Sequence, residues 1–281
     1  MKKLILFKMF LDKYDKEKKL YKYLTESEAK KIKSLPNFQK KVSTKDLFQN
    51  SIIDSVHYSW FIPLLNIYSK KESIFFLMAL KPSYRKSLAD ILGIKSFQEN
   101  INNSAKEFLK NLLLRSLIKK EDFLLPIECL FENKLNILLS LSKKELIKLI
   151  NLLSIYDLKK ELKYILEQKK MKQIFSFLKP EEKIFLKSIH NYAEPFSTQR
   201  LNIDKYLNDK DKMRNILHTC GLARLSTALS GESIDLIWYI CHYLDIGRGN
   251  YIFKKCKKEK MKDVSNVITQ QILKIINFLK H

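Results

Sequence analysis

The sequence reads MRNILHTCGLARLSTALSGESIDLIWYICHYLDIGRGNYIFKK over residues 213–255 and KMKDVSNVITQQILKIINFL over residues 260–279. Apolar residues recur in both segments every three or four positions, which is the spacing of one face of an α-helix. Glycines at positions 221, 231, 247 and 249 interrupt the apolar runs, and the rest of the chain contains one further glycine. Because glycine is common at helix ends, we predict that these four positions end helices.

The remainder of the chain shows the same helical pattern. Leucine, isoleucine, lysine and glutamate dominate, and the 281 residues include five glycines and six prolines. We find no segment with the alternating pattern of a β-strand. A chain of this length buries a sizeable core and has room for more than one folding unit. The predicted fold class is therefore all-α.

An internal repeat indicates how the helices are organised. Residues 74–82 read IFFLMALKP and residues 174–180 read IFSFLKP, and a weaker third copy lies at 225–231. In the first two copies an apolar helix ends at Leu-Lys, and Pro82 or Pro180 is suited to the first turn of the next helix. Such pairs stack because no pair buries its apolar face alone, so we predict armadillo-like repeats. The predicted helix pairs are 57–92, 135–190 and 213–245.

The net charge of +23 leaves several interpretations open. Nucleic acid or an anionic membrane surface could bind such a chain. However, only six of the 53 basic residues are arginine, and the lysines lie along the whole sequence. Proteins that read bases usually carry arginine and a focused basic patch. We therefore favour a solvated lysine coat and expect no nucleic acid partner, with nucleic-acid binding as the runner-up function.

No pattern of catalytic or metal-binding residues is present. The cysteines at 129, 220, 241 and 256 lack a C-x-x-C spacing, which favours free thiols in a reducing compartment. His218, Cys220, Cys241 and His242 would meet at a metal only by chance in the fold, and we expect them to be packed side chains. We predict neither an enzyme nor a cofactor. Lys8 interrupts the first apolar run and no span is long enough for a membrane helix, so a cytoplasmic protein is expected.

The C-terminal residues resemble a known family. The motif ALSGE at 228–232, the motif DIGRGN at 245–250 and the segment KMKDVSN at 260–266 are similar to the C-terminal domain of the flagellar motor switch protein FliG. The segments VHYSWFIPLLNIY at 56–68 and LMALKP at 77–82 resemble the FliG middle domain. Residues 4–11, 24–28 and 41–45 resemble the start of its N-terminal domain. In this comparison the helix around residues 105–118 corresponds to the linker helix.

The resemblance implies four segments and several contact residues. These are a shortened N-terminal helical domain at 1–50, a middle armadillo-like domain and linker helix at 51–120, a helical repeat at 126–192, and a C-terminal domain at 200–281. Polar residues 191–211 are the expected hinge. In the family, the middle-domain signature helps to bind the ring protein FliM. The residues at the signature here are His57, Tyr58, Ser59 and Trp60, and Trp60 is expected at the surface.

The resemblance also implies a helix that faces the stator. The family carries a basic residue, two acidic residues and a further basic residue on this helix. Here the first position holds Gly247 or Arg248, the acidic pair is replaced by Lys254 and Lys255, and Lys260 is the last basic position. Like charges repel across an interface, so we expect no contact with a standard stator through this helix. Residues 247–249 could also form a backbone nest for an anion, but we favour a helix terminus with an exposed arginine.

These observations predict a non-enzymatic component of the flagellar rotor and switch complex, in the C-ring of the basal body and concerned with motility and chemotaxis. Expected partners are FliM, FliF and FliG-like neighbours, with peripheral attachment to the inner membrane through them. Residues Leu222, Leu225 and Leu229 are the predicted repeat interface. A third possible function is an adaptor in a related secretion apparatus.

Overall fold

A computed structural model describes residues 2–15, 19–35, 52–95, 101–118, 124–189, 194–196, 200–256 and 262–280. All regular elements in these ranges are helices, which confirms the all-α prediction. The α-helices are α1 Lys2–Tyr14, α2 Glu26–Lys33, α3 Ile52–Ser55, α4 Ile62–Leu65, α5 Lys70–Ala79, α6 Pro82–Leu92, α7 Asn103–Leu117, α8 Lys143–Leu162, α9 Gln168–Phe177, α10 Pro180–Ser188, α11 Lys210–Leu229, α12 Ile234–Tyr243, α13 Ile246–Lys255 and α14 Lys262–Lys280. Short 3₁₀-helices occupy Lys19–Tyr23, Tyr58–Trp60, Ile127–Cys129, Lys134–Ser140 and Ile203–Tyr206.

Local capping signals explain where several helices begin. The sequence TESE at 25–28 predicts a capping box, and Thr25 forms it with Glu28 at the start of α2. Ser69 and Ser142 form the same box at α5 and α8. Each cap satisfies backbone N–H groups that the first helical turn leaves without partners. Pro82 and Pro180 lie in the first turns of α6 and α10, as the repeat predicts.

The helices of the pairs α5–α6 and α9–α10 are connected in the same way. In each pair, the leucine that follows the first helix has an extended backbone, and a lysine lies between this leucine and the proline of the second helix. The third copy lacks the proline, and its helices α11 and α12 fall into different compact units. The local repeat is thus present twice, and the armadillo-like stacking of all pairs stays a prediction.

The chain forms two compact units, which differ from the four predicted segments. The first unit comprises Met1–Asn136 and Ile234–Ile246, and the second comprises Ile137–Ser233 and Gly247–His281. The segment 234–246 thus belongs with the N-terminal half of the chain, although its neighbours in sequence belong to the second unit. The division into two units does not fall at the expected hinge at 191–211, because residues 137–233 lie in one unit.

In the second unit, α8 is the central helix. Ten of its residues from Leu146 to Leu158 are buried, and they face in every direction around the helix axis. A helix that is apolar on all sides needs neighbours on all sides. The helices α11, α14 and α10 provide that cover.

The predicted roles of two glycines are wrong. Gly221 lies in the middle of α11, and Gly249 lies within α13. A Cβ atom at position 221 would lie 1.9 Å from the carbonyl oxygen of Ile150 in α8, so glycine allows the two helix backbones to touch. In contrast, Gly231 follows the end of α11 with a φ of 76°, as predicted for a glycine at a helix end. Within the described ranges, no helix combines the length and the apolar character that a membrane-spanning segment needs.

Candidate protein-interaction surfaces

The first helix exposes a row of aromatic side chains. The exposed fractions of Phe7, Phe10 and Tyr14 are 38%, 49% and 65%, whereas Ile5 and Leu11 on the same helix are buried. Positions i, i+3 and i+7 lie on one helix face, so the three rings form a continuous surface, which we call the α1 stripe. The ring centroids of Phe10 and Tyr14 are 5.0 Å apart.

Polar contacts fix the orientation of α1 so that this row faces outward. The buried Lys8 ammonium donates a hydrogen bond to the carbonyl of Leu35, just beyond α2. Directly after α1, the Asp15 carboxylate accepts hydrogen bonds from the backbone N–H groups of Lys19 and Leu20, both at 2.7 Å. Exposed aromatic residues are frequent anchors in protein–protein interfaces. The sequence shows Leu4, Phe7, Phe10, Leu11 and Tyr14 as one apolar stripe at helical spacing, but it gives no sign that the aromatic members are exposed.

The predicted stator-facing helix is α13. It buries Gly249 and Ile252 and exposes Gly247, Lys254 and Lys255. The two lysines therefore present a positive end to solvent at the C-terminus of the helix, where positive charge is also favoured by the helix dipole. Lys260 lies outside the described residues.

The turn at 247–249 does not form an anion-binding nest. A nest needs alternating left- and right-handed backbone, but neither Gly247 nor Gly249 has a positive φ. The Arg248 side chain is partly buried, and its Nε donates a hydrogen bond to Nε2 of His218 at 2.7 Å. Nδ1 of His218 lies 2.7 Å from Oδ1 of Asn151. The imidazole tautomer with its proton on Nδ1 satisfies both contacts, so Arg248 joins α13 to α11 and α8 within the second unit.

The middle-domain signature is largely buried, and the expectation of a surface Trp60 is wrong. Nε1 of Trp60 donates a hydrogen bond to the carbonyl of Leu244 at 2.9 Å, and its ring stacks on His242 with centroids 4.1 Å apart. The Ser59 hydroxyl accepts a hydrogen bond from the backbone N–H of Ile246. His57 is also buried, and its backbone N–H donates to the carbonyl of His242 at 2.8 Å. These contacts hold α12 in the first unit. Of the four signature residues, Tyr58 is partly exposed and the other three are buried.

His242 lies between two indole rings. Its centroid is 4.1 Å from that of Trp60 and 3.9 Å from that of Trp238, and both pairs are stacked. Burial lowers the pKa of His242 to about 4, although a hydrogen bond to the carbonyl of Trp238 favours the charged form. His242 is therefore neutral at physiological pH. The helical spacing of Trp238 from Ile234 and Cys241 in the sequence predicts a core position, and Trp238 is buried.

The second unit contains a buried charge cluster that the sequence did not reveal. The Arg224 guanidinium binds both oxygens of Asp157 at 2.7 and 2.6 Å and both oxygens of Glu194 at 2.6 and 3.1 Å. Gln271 donates to Glu194, and the Lys160 ammonium forms a further ion pair with it. Burial alone would raise the pKa of Glu194, but the hydrogen bonds and charge of Arg224, with those from Lys160 and Gln271, lower it below its ordinary value.

This cluster explains why residues 191–211 do not behave as a domain boundary. Glu194 lies at the polar connection that was predicted as a hinge, and its carboxylate is bound to helices on both sides of that connection. The partners Arg224 and Gln271 are separated from Glu194 by 30 and 77 positions in the sequence, so no local motif could indicate them.

The predicted repeat interface belongs to the core of one unit. Leu222, Leu225 and Leu229 are buried on α11, and this helix packs against α8 and α14 within the second unit. Their burial leaves no free repeat face at these three positions for a neighbouring molecule.

The described thiols are buried or partly buried. Burial raises the pKa of Cys129, Cys220 and Cys256 to about 11, so these thiols are protonated at neutral pH. Within the part of the chain that the structure describes, no three His, Cys, Asp or Glu side chains are placed to hold a metal ion.

Comparison with protein-family models, with curated proteins and with solved structures finds no match for this chain. What the protein does is therefore inferred from its own residues and contacts.

Proposed function

We propose that the chain is a structural component of the bacterial flagellar rotor and switch complex, similar to FliG, and that it works through protein–protein contacts. In this proposal it lies at the cytoplasmic face of the inner membrane, at the flagellar basal body. The assignment to the rotor rests on the resemblance of residues 56–82 and 213–266 to FliG. FliF, FliM and FliG-like neighbours are the proposed partners.

The α1 stripe is the observation that supports a contact-mediated role. Three aromatic side chains on one face of a helix are partly exposed, while the opposite face is held in the first unit. Leaving such a surface in water is unfavourable, at about 25 cal/mol for each Å² of apolar area. A partner that covers Phe7, Phe10 and Tyr14 would remove that cost and gain aromatic anchors. In the FliG family, the N-terminal domain contacts the membrane-ring protein FliF, which makes FliF the proposed partner of the stripe.

One helix boundary in the C-terminal region also supports the proposal. The helix α11 ends at the ALSG motif, α13 begins within the DIGRGN motif, and α14 begins within the KMKDVSN motif. The start of α14 agrees with the FliG resemblance, in which this motif opens the last helix. The resemblance implies that ALSG opens a helix and that the charged helix begins near Asn250, so the other two boundaries differ from it. The separation of α12 into the first unit is a departure from a single C-terminal domain.

The α13 lysine pair, Lys254 and Lys255, leads us to propose that the protein does not generate torque alone. Both side chains are exposed where the family places acidic residues. A stator surface that complements carboxylates would be repelled by two ammonium groups. The proposed role is therefore positional or regulatory within the motor.

Localisation of the whole chain tests the proposal. A fluorescent fusion should form foci at flagellar bases, and the variant with Phe10→Glu and Tyr14→Glu should become diffuse. The matched control is Phe108→Glu, which changes an aromatic side chain that is 63% exposed on α7 of the same unit. This control should keep the foci. A diffuse signal from the unmodified chain would refute the rotor assignment, and foci that survive the double change would refute the role of the stripe.

Torque generation is tested in a motile bacterium that lacks its own FliG. We expect no rotation when this chain is the only FliG-like protein. The variant with Lys254→Asp and Lys255→Asp tests whether charge is the cause, and the same changes at the exposed residues Lys169 and Lys172 are the control. Normal rotation by the unmodified chain would contradict the inference from α13.

The net charge of +23 keeps nucleic-acid binding as the competing function. Phosphate contacts release counterions, so affinity for DNA or RNA would fall steeply with salt. We expect no tight binding of a mixed-sequence duplex or single strand at physiological salt. Tight binding with a steep salt dependence would favour the competing function.

A further inference from the structure

A cleft in the second unit is separate from both candidate interaction surfaces. Its volume is about 340 Å³, and it lies between α8, α9 and α10. This volume is within the range of about 300–1,000 Å³ that is usual for small-molecule sites. The apolar side chains that line it are Leu162, Met171, Phe175 and Leu186.

Lysines supply the other side chains of this cleft. They are Lys159 and Lys163 at the end of α8 and Lys187 on α10, and no acidic residue is among the described side chains that line it. Lys159 and Lys163 are four positions apart, so they project from the same side of the helix. The Lys159 ammonium also donates a hydrogen bond to the carbonyl of Ile189 at 2.8 Å, which holds it at the cleft.

The positive charges at the cleft repel one another. Partial burial lowers the pKa of Lys159, and the neighbouring charges of Lys163 and Lys274 lower it further, against the opposite effect of Glu194. A bound anion would offset this repulsion and would accept charge-assisted hydrogen bonds from the ammonium groups. The apolar lining would at the same time be removed from water by an apolar ligand group.

We propose that this cleft binds a free long-chain carboxylate, with its carboxylate at the lysines and its alkyl chain against Leu162, Met171, Phe175 and Leu186. A neutral alkyl compound would make no charge-assisted hydrogen bond to the ammonium groups of Lys163 and Lys187. A small inorganic anion would leave the apolar lining exposed. A single alkyl chain suits a cleft between three helices, whereas a membrane is a broad surface and cannot enter it. This site is independent of the proposed rotor function.

Methionine-methyl NMR of the full chain provides the test, with dodecanoate below its micelle concentration as the probe. The chain has six methionines, and Met171 is the one in the lining of the cleft. Its signal is assigned with the Met171→Leu variant. Dodecanoate should shift the Met171 methyl signal saturably, whereas the signal of Met213, which is buried in the core of the same unit, should not move.

Charge variants test the role of the lysines. Lys163→Glu combined with Lys187→Glu should raise the Kd for dodecanoate at least about tenfold, because the contacts to the carboxylate are replaced by repulsion. Both positions are exposed, so the helices should remain folded, which circular dichroism checks. The matched control combines Lys169→Glu with Lys172→Glu, two exposed lysines of α9 outside the cleft. Because screening weakens distant charges, the control should change the Kd less than about threefold. Dodecanol should bind at least about tenfold more weakly than dodecanoate.

Several results would overturn the proposal. They are a Met171 signal that does not respond to dodecanoate, equal shifts at Met171 and Met213, equal affinity for dodecanol, or equal weakening by the two double variants. The last measurement is the binding of the chain to phosphatidylglycerol vesicles. If the chain binds vesicles while free dodecanoate leaves Met171 unaffected, the lysines serve a lipid surface and the cleft is not a carboxylate site.

Discussion

We expect the substitution Gly221→Ala to destabilise the protein, although the same substitution usually stabilises a helix. Within an ordinary helix, replacing glycine by alanine stabilises by about 1 kcal/mol, because alanine has less backbone freedom to lose on folding. At position 221 the added Cβ atom would lie 1.9 Å from the oxygen and 2.8 Å from the carbon of the Ile150 carbonyl. Both atoms belong to the backbone of α8, which cannot rotate away as a side chain could.

The expected result is a net loss of stability. Overpacking of a filled core costs about 1–3 kcal/mol and occasionally more. A contact with the backbone of a helix that is buried on all sides belongs at the upper end of that range. After subtracting the gain of about 1 kcal/mol from helix propensity, we expect Gly221→Ala to lower the free energy of unfolding by roughly 2 kcal/mol or more.

Urea unfolding followed by far-ultraviolet circular dichroism measures this change. The matched control is Gly247→Ala, because Gly247 is exposed in α13 and has no positive φ. The control should be neutral or slightly stabilising. If Gly221→Ala were as stable as the unmodified chain or more stable, α8 and α11 would not be in backbone contact at this point.

Three further changes follow from the buried groups. Replacing Arg224 by methionine leaves two buried carboxylates without their guanidinium and should cost about 3–5 kcal/mol in urea unfolding; an unchanged midpoint would mean that the cluster is hydrated. The pKa of His242 is about 4 in the folded chain and 6.5 for the free side chain. Between these pH values His242 binds a proton in the unfolded chain but not in the folded chain. The free energy of unfolding should therefore fall by about 3 kcal/mol as the pH falls from 6.5 to 4. The His242→Phe variant should lack this contribution, and an equal slope in both proteins would contradict it. Burial raises the pKa of Cys129, Cys220 and Cys256 to about 11. Iodoacetamide should therefore modify these thiols at about pH 8 far more slowly in the folded chain than in the urea-unfolded chain. Equal rates would show that the thiols are accessible.

Local sequence signals predicted the helices well. The capping box at Thr25 and the prolines at positions 82 and 180 each act within a few residues of the chain. Their effect depends on backbone groups of the same turn, so the sequence states it directly. The core position of Trp238 also followed from the spacing of its apolar neighbours on one helix.

The candidate surfaces were predicted less well. The exposure of Lys254 and Lys255 follows from the few apolar residues near them, and the sequence was sufficient for it. Trp60 was expected at the surface because it begins an apolar block, yet Leu244 and His242 cover it from a segment far away in sequence. The apolar stripe of α1 is visible in the sequence, but the exposure of its aromatic residues is not, because exposure depends on whether another element packs there.

By itself, the sequence determined that this protein is all-α, where helices such as α2, α6 and α10 begin, and that lysine would dominate its surface. These properties come from short-range spacing, caps and composition. Only the tertiary structure decided that residues 234–246 belong to the first unit, that Gly221 is needed for helix contact, and that Arg224 is buried between Asp157 and Glu194. Each of these depends on residues that are distant in the chain, and a single sequence contains no signal for which distant residues meet.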